Sequence, residues 1–437
     1  MNDVIDLNKI NKVHFIGIGG IGISAIARMM LYEGKIVIGS DLVASLITEE
    51  LVEAGAKIHL GQSLDFIEPD TSLIVYTIAI TEYDPKLFEA LKKLTIPSLS
   101  YPEMLGLVSA QKYTIAVAGT HGKTTTTAML AKIFVEAELN PTVIVGSLLK
   151  DLKTNFIAGR GKYFITEACE YRRSFLNLNP QAAIITNIDN DHLDYYKDLP
   201  DIQSAFAELS AKIPADGFLV CNTNDPALAP VLLAAKCRIL DYTKHPWSVE
   251  LRLIVPGQHN VKNAMAALVL TDALKVPKNR VITALSRFTG TWRRFEFKGL
   301  TADKVMIYDD YAHHPTEIKA TLEGAREWAG NKKIIVAFQP HLYSRTKLLL
   351  NDFAASFGDA DIVIMPDIYA AREMDDGTIS SRDVIDLLNK QNKEAYYAPT
   401  FPEVEKIIKE KAVAGDMIIT MGAGDIFKVA EKLTSPF

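Results

Sequence analysis

Residues Ala118 to Thr127 read Ala-Gly-Thr-His-Gly-Lys-Thr-Thr-Thr-Thr. The apolar run before them, Tyr113–Val117, has the length of a buried strand. The run after them, Ala128 to Ala137, has the pattern of an amphipathic helix. A glycine turn between strand and helix gathers backbone N–H groups around one point. The helix N-terminus adds partial positive charge there, so the point favours phosphate. Gly119, Thr120, His121, Gly122, Lys123, Thr124 and Thr125 form the candidate cradle. Lys123 can reach terminal phosphates, and Thr124 can place its hydroxyl on Mg²⁺. Val117 stands where G-x-x-x-x-G-K-[ST] would have its first glycine, so the loop is a variant. It implies a nucleoside triphosphate, and work done with it.

Outward from this loop, short apolar runs alternate with helical patterns, the signature of α/β units with parallel sheets. Lys12–Ile18, Lys35–Gly39, Leu73–Tyr76 and Ile96–Leu99 read as strands of a first unit, and Ser98 to Glu103 as a connector. A second unit starts at Tyr113, with strands Tyr163–Thr166, Ala182–Thr186 and Phe218–Cys221 and a last helix Val261–Ala273. A third has strands Val305–Tyr308, Lys333–Phe338, Ile362–Met365 and Met417–Thr420. A chain of 437 residues is too long for one core. Three α/β domains are expected: 1–107 Rossmann-like, 108–297 of P-loop type with a mostly parallel sheet, and 298–437 Rossmann-like.

With 48% hydrophobic and 23% charged residues the composition is that of an ordinary globular protein. A net charge of −6 argues against a general nucleic-acid binder. Cys169, Cys221 and Cys237 form no pair motif, which suits a reducing compartment. Met1 to Asp6 carries acids where a secretory signal would be basic. No apolar run approaches the roughly 20 residues that span a bilayer. A cytoplasmic protein with no membrane partner is expected.

Gly17-Ile18-Gly19-Gly20-Ile21-Gly22 is a G-x-G-x-x-G between a strand and a helix, and Asp41 follows near the end of the next strand. The motif reports a diphosphate at a helix N-terminus without saying what carries it. Read alone it suggests a nicotinamide-dependent oxidoreductase. Beside a separate triphosphate loop, a second nucleotide diphosphate fits as well. Glu167 ends a strand, and Asp189, Asp191, His192 and Asp194 follow another, both on the side of the phosphate loop. Mg²⁺ prefers oxygen ligands, which Thr124 and Glu167 supply, and His192 could serve a second ion. Asp189 and Asp194 read as solvated loop acids.

Asn260 and Asn263 open an Ala-rich helix, where asparagine is a common cap and can also read an adenine edge. Arg293 and Arg294 offer guanidinium groups to phosphate or carboxylate. Asp309, Tyr311 and the adjacent His313 and His314 end one strand, and His341 and Arg345 follow the next, where a substrate anion could be held.

The ordered set HFIGIGGIGISAIA (His14–Ala27), AGTHGKTTT (Ala118–Thr126), EACEYRRSFL (Glu167–Leu176), TNIDNDHLDYY (Thr186–Tyr196), GQHNVKNAMAA (Gly257–Ala267), RRFEFKG (Arg293–Gly299), YDDYAHHPTEI (Tyr308–Ile318) and FQPHLYSRT (Phe338–Thr346) resembles the Mur ligase family, in particular its alanine-adding branch. The resemblance implies an ATP-dependent ligase, with UDP-N-acetylmuramate and L-alanine as partners and Mg²⁺, as two ions, as cofactor. It implies ATP on Gly119–Thr125, with Lys123 at the β- and γ-phosphates, Thr124 and Glu167 on one ion and His192 on the other. Asn260 and Asn263 would flank adenine, Asp309 would face the ribose, and Arg294 would join the ATP site. Gly17, Gly19, Gly20, Gly22, Asp41 and Thr77 would hold the UDP-sugar. Tyr311, His313 and Arg345 would meet the muramoyl group or the amino acid. A monomer or weak homodimer is expected. The helix that carries a carbamylated lysine in many relatives reads Ala205–Ala211 here, without one; its neighbour Lys212 reads as surface. Other readings of the chain are a relative that adds a whole peptide to the same sugar nucleotide, and a nucleotide-dependent scaffold without catalysis.

Overall fold

The structure is a computed structural model that describes residues 5–149, 154–193, 195–371 and 373–434. Asp194 therefore lies outside the described residues. Three sheets are built in chain order. The first joins β1 (Lys12–Ile16), β2 (Ile36–Asp41), β3 (Lys57–Leu60), β4 (Leu73–Tyr76) and β5 (Ser98–Ser100) in the order β3-β2-β1-β4-β5, all parallel. The strand order reverses between β1 and β4, and the glycine turn follows β1. Ligands of doubly wound sheets bind at such a point.

The second sheet contains β6 (Tyr113–Ala118), β7 (Thr142–Leu149), β8 (Thr154–Ile157), β9 (Tyr163–Glu167), β10 (Ala182–Ile185), β11 (Phe218–Cys221) and β12 (Arg238–Asp241). Their order is β12-β11-β10-β6-β9-β7-β8, with β8 antiparallel to β7. From Thr114 to Ala118 β6 is buried without a break, as a central parallel strand covered on both faces must be. The third sheet contains β13 (Glu296–Leu300), β14 (Met306–Asp310), β15 (Ile334–Phe338), β16 (Ile362–Met365), β17 (Glu394–Tyr397) and β18 (Met417–Met421), ordered β13-β14-β18-β15-β16-β17, with β13 antiparallel to β14.

By compactness the chain divides into two units, 1–252 with 262–288, and 253–261 with 289–437. The first two sheets share one unit and one continuous core, in which Phe15 and Met104 belong to the same cluster as Phe164 and Phe206. Asn155, on β8, ties them further: its amide donates to the Ile21 carbonyl and, at 3.1 Å, to Ser24 Oγ, both at the start of the helix Ile21–Tyr32.

The stretch Ser98–Glu103, expected to be a connector, is an edge strand followed at once by the helix Tyr101–Ser109. Ser100 and Glu103 form a capping box there, so the polar run that reads as a loop is a helix start. Of the strands that periodicity missed, β3, β12 and β17 are four residues each and lie at sheet edges, while β7 is longer and lies one strand in from an edge.

His14, on β1, is fully buried and neither ring nitrogen has a hydrogen-bond partner. Burial, aided by His59 and opposed by Glu68, lowers its pKa from 6.5 to about 4. Below pH 6.5 the unfolded chain binds a proton there that the folded one refuses. Stability is therefore present above pH 6.5 and lost as pH falls toward 4, by about 3 kcal/mol in all. His14→Leu should remove this part of the acid loss. Urea midpoints at pH 7 and pH 4.5 measure it; an unchanged gap between them in the variant counts against a His14 origin.

Candidate active site

Parallel pairing aligns the ends of β6, β9 and β10: Val117 is opposite Glu167, and Ala118 opposite Ile185. The phosphate loop, Glu167 and the segment after β10 therefore emerge side by side. Gly119 and Gly122 have φ of +127° and +85°, where side chains are strained. A Cβ on Gly119 would lie 2.0 Å from Thr186 Oγ1, and one on Gly122 2.6 Å from Asn263 Oδ1. The loop is held from outside. Asn187 accepts the Thr120 N–H on its backbone carbonyl (3.1 Å) and the His121 N–H on Oδ1 (2.9 Å), while Thr186 Oγ1 donates to the His121 carbonyl at 2.5 Å. The helix Lys123–Glu136 starts at the lysine, so its first N–H groups have no intrahelical acceptor and face the cradle.

Lys123 Nζ donates to the carbonyls of Gly119 (2.6 Å) and Thr120 (3.0 Å) and to Glu170 Oε1 (2.9 Å). Burial, the largest single influence, works against its charge, but Glu170, Cys169 and Glu167 together outweigh it and keep the ammonium above its ordinary pKa. Glu167 Oε2 accepts from Thr124 Oγ1 at 3.1 Å and Oε1 from the Gly146 N–H at 2.7 Å. His192, at φ +55°, puts Nε2 3.7 Å from Glu170 Oε1 and packs its ring 4.9 Å from that of Tyr171. Asp189 is not a solvated loop acid. It accepts from or pairs with His121 Nε2 at 3.0 Å, and its N–H donates to Thr120 Oγ1 at 2.9 Å, because the strand alignment folds this segment over the loop. Lys212 is exposed, with its ammonium on the Leu176 carbonyl.

At the other glycine loop, Gly17 has φ +77° and would carry a Cβ 2.6 Å from Thr77 Cγ2. The Gly19 N–H donates to Asp41 Oδ2 at 2.8 Å. Gly20 stands just before the helix Ile21–Tyr32. Gly22 serves packing: a Cβ there would lie 2.8 Å from Tyr101 Cζ.

In the second unit the structure separates the paired arginines. Arg293 is 3% exposed; its Nε donates to Asp309 Oδ2 at 2.7 Å, and its Nη atoms to the carbonyls of Gly422 (2.6 Å) and Gly424 (3.1 Å). Asp309 is 1% exposed, and its Oδ1 accepts from Thr420 Oγ1 at 2.6 Å. Its expected place facing a ribose is thus not what is observed: it is the buried counter-ion of Arg293, since an unpaired buried guanidinium would cost several kcal/mol. Burial pushes the next residue, Asp310, up to about 6, against the pull of Arg294; its oxygens accept the N–H groups of Phe295 and Ala312. Arg294 stays near the surface, 3.8 Å from Glu317 and over the Tyr311 ring. His313 Nδ1 lies 3.1 Å from the Tyr311 carbonyl, while His314 caps the helix Pro315–Ala329. Arg345 Nη1 lies 3.5 Å from His341 Nδ1, and the His341 ring stacks on Tyr369. Tyr311, His313, His341, Arg345 and Arg294 thus gather beyond the ends of β14 and β15. Asn260, in the same unit, donates its amide to the Pro256 carbonyl at 2.7 Å.

Three family models match the chain: Mur ligase family, catalytic domain, over 12–113; Mur ligase middle domain over 117–252; and Mur ligase, glutamate ligase domain, over 293–424. A UDP-N-acetylmuramate–L-alanine ligase of Agathobacter rectalis is 42% identical over 98% of this chain and 99% of its own. The chain belongs to the Mur ligase family. Another ligase of that description, from Caldanaerobacter subterraneus, is 41% identical over 98% of both chains. Among solved structures, the UDP-N-acetylmuramate–alanine ligase of Thermotoga maritima superposes with a TM-score of 0.79 at 30% identity over 97% of this chain and 98% of that one. A murein peptide ligase of Psychrobacter arcticus gives 0.70 at 25% identity, over the same shares. The matches assign the glycine loop after β1 to a Mur ligase, which removes the ground for an oxidoreductase. ATP dependence comes with the family.

In this Mur ligase, sequence reading missed Glu170. It is 2% exposed and bonded to Lys123, yet nothing in Glu167-Ala168-Cys169-Glu170 tells which acid faces the lysine. A bend after β9 decides that.

Proposed function

We propose that the chain is the ATP-dependent ligase that joins L-alanine to the lactyl carboxylate of UDP-N-acetylmuramate, releasing ADP and phosphate in peptidoglycan precursor synthesis. The observation that carries this is full-length identity of 42% to alanine ligases, joined to a phosphate loop whose lysine and acid are set as the chemistry requires. The peptide-adding relative is the weaker reading, at 25% identity and the lower TM-score.

In this reading Gly119–Thr125 cradle ATP, and Lys123 leaves its loop carbonyls for the β- and γ-phosphates. The lactyl carboxylate attacks the γ-phosphate to give an acyl phosphate, and the amine of alanine then displaces phosphate from that carbonyl. Lys123 offsets charge on the transferring phosphoryl group, while the loop holds it in line. Thr124 and Glu167 are hard oxygen donors 3.1 Å apart at the loop mouth, which fits Mg²⁺, and His192 is placed for a second ion. When bound, Mg²⁺ neutralises phosphate charge. Asn263, against Gly122, is the better placed of the two asparagines for the nucleotide. Tyr311, His313 and Arg345 are the anion-binding face of the C-terminal domain, Arg294 stands just ahead of it for the ATP site, and the domains are 1–107, 108–297 and 298–437. We place the protein in the cytoplasm, as a monomer or weak homodimer without nucleic-acid or membrane partners.

Phosphate release from ATP, screened across amino acids with UDP-N-acetylmuramate present, tests this reading. Release that requires a peptide and ignores alanine would overturn it. The sugar-nucleotide site has its own test. A Cβ at Gly19 would lie 2.9 Å from Asp41 Oδ2 and 3.1 Å from Thr48 Cγ2, so Gly19→Val closes the loop. Calorimetry should show UDP-N-acetylmuramate binding lost, and binding of ATP without the sugar nucleotide kept. Retained sugar-nucleotide affinity would move UDP elsewhere.

A further inference from the structure

The segment Glu167–Arg173 touches more of the first unit than a metal ligand needs to. Glu167 faces Thr124, Glu170 holds Lys123, and Tyr171 packs on His192. Arg172 and Arg173 then both lie in the left-handed region, at φ 52° and 55°. Two successive non-glycine residues there cost roughly 1–2 kcal/mol each, and persist only where the surroundings enforce them. Arg173 is enforced: it donates to Asp201 at 2.8 Å and to Glu208, both on the helix Leu199–Ala211, and its N–H donates to the Glu170 carbonyl at 2.8 Å. Arg172 pairs with Glu82. Glu82 lies on the short helix Ile80–Tyr83, just after Thr77, the residue packed against Gly17. One strained turn thus joins the phosphate-loop lysine to the element beside the sugar-nucleotide loop, within one compact unit.

Building on the ligase reading above, we propose that the Glu82–Arg172 ion pair is a positioning contact. It couples occupancy of the sugar-nucleotide site to the setting of Glu170 and Lys123, so that ATP is gripped when its acceptor is in place. The side chains are 47% and 34% exposed, and such pairs contribute only about 0–1 kcal/mol to folding. Stability does not account for a contact that rests on a strained turn. Glu170 stands two residues before Arg172, and Lys123 spends its three N–H donors on Gly119, Thr120 and Glu170, so it must give up one of them to reach phosphate while Glu170 sets where its ammonium points. A shift of the Glu82 helix when the sugar nucleotide binds pulls on the turn that carries Glu170.

The test uses the full chain and calorimetry with a non-hydrolysable ATP analogue and Mg²⁺, with and without UDP-N-acetylmuramate. The wild type should bind the analogue about fivefold or more tightly when the sugar nucleotide is present. Arg172→Glu, Arg172→Gln and Glu82→Arg should each bring that ratio to about one, with melting temperature and affinity for the analogue alone near wild type. Arg172→Glu combined with Glu82→Arg should restore the ratio. Single variants that keep the wild-type ratio, a double variant that does not regain it, or a wild-type ratio of one would each overturn the proposal. A wild type that fails to bind UDP-N-acetylmuramate at all would instead sink the ligase reading.

Discussion

Lys123→Ala lowers phosphate release by about 10²–10³-fold or more, because the charge that meets the transferring phosphoryl group is gone. The same substitution should also lower the melting temperature. Glu170 is 2% exposed and bonded to Lys123 at 2.9 Å; without the ammonium it becomes an uncompensated buried carboxylate. Breaking such a pair from one side costs about 3–5 kcal/mol, far more than a surface pair would. Glu170→Gln added to Lys123→Ala removes the orphaned charge, so the double variant should regain most of the lost stability and none of the activity. Thermal melting and phosphate release on the single and double variants separate the two effects. A Lys123→Ala enzyme with most of its rate would dismiss the loop as the ATP site. A double variant that melts no later than the single one would dismiss Glu170 as the counter-ion.

Glu167→Gln should cost roughly 10²-fold in rate and raise the Mg²⁺ concentration for half-maximal rate by about tenfold or more. The fold should tolerate it. The amide oxygen can accept the Gly146 N–H as Oε1 now does at 2.7 Å, and the amide nitrogen can donate to Thr124 Oγ1 where Oε2 now accepts at 3.1 Å. What disappears is the negative charge, which an Mg²⁺ ligand needs and a mere hydrogen-bond acceptor does not. A variant that melts early yet keeps the wild-type Mg²⁺ dependence would reduce Glu167 to a structural residue.

The phosphate loop was legible because its signal is local. Strand, glycine turn and lysine are adjacent in the chain, and the glycines at φ +127° and +85° are ones that few other residues could replace. Residues brought together from separate strands were legible only as candidates. Glu167 could be placed beside Thr124 because parallel strands end together, and the structure keeps them 3.1 Å apart. Asp189 and Glu170 were misjudged or missed, since an acid in a loop has no periodicity to betray its partner.

The sequence by itself determined the α/β class, the two glycine loops, and the ordered motifs that mark a Mur ligase. Each depends on neighbours in the chain, where backbone geometry links spacing directly to shape. Tertiary structure alone decided which of the paired arginines is buried. It paired Arg293 with Asp309 at 2.7 Å, left Arg294 near the surface, and turned Glu170 rather than another acid toward Lys123. A charge buried among distant segments survives only where the fold brings its counter-ion, and no local pattern records where that will be.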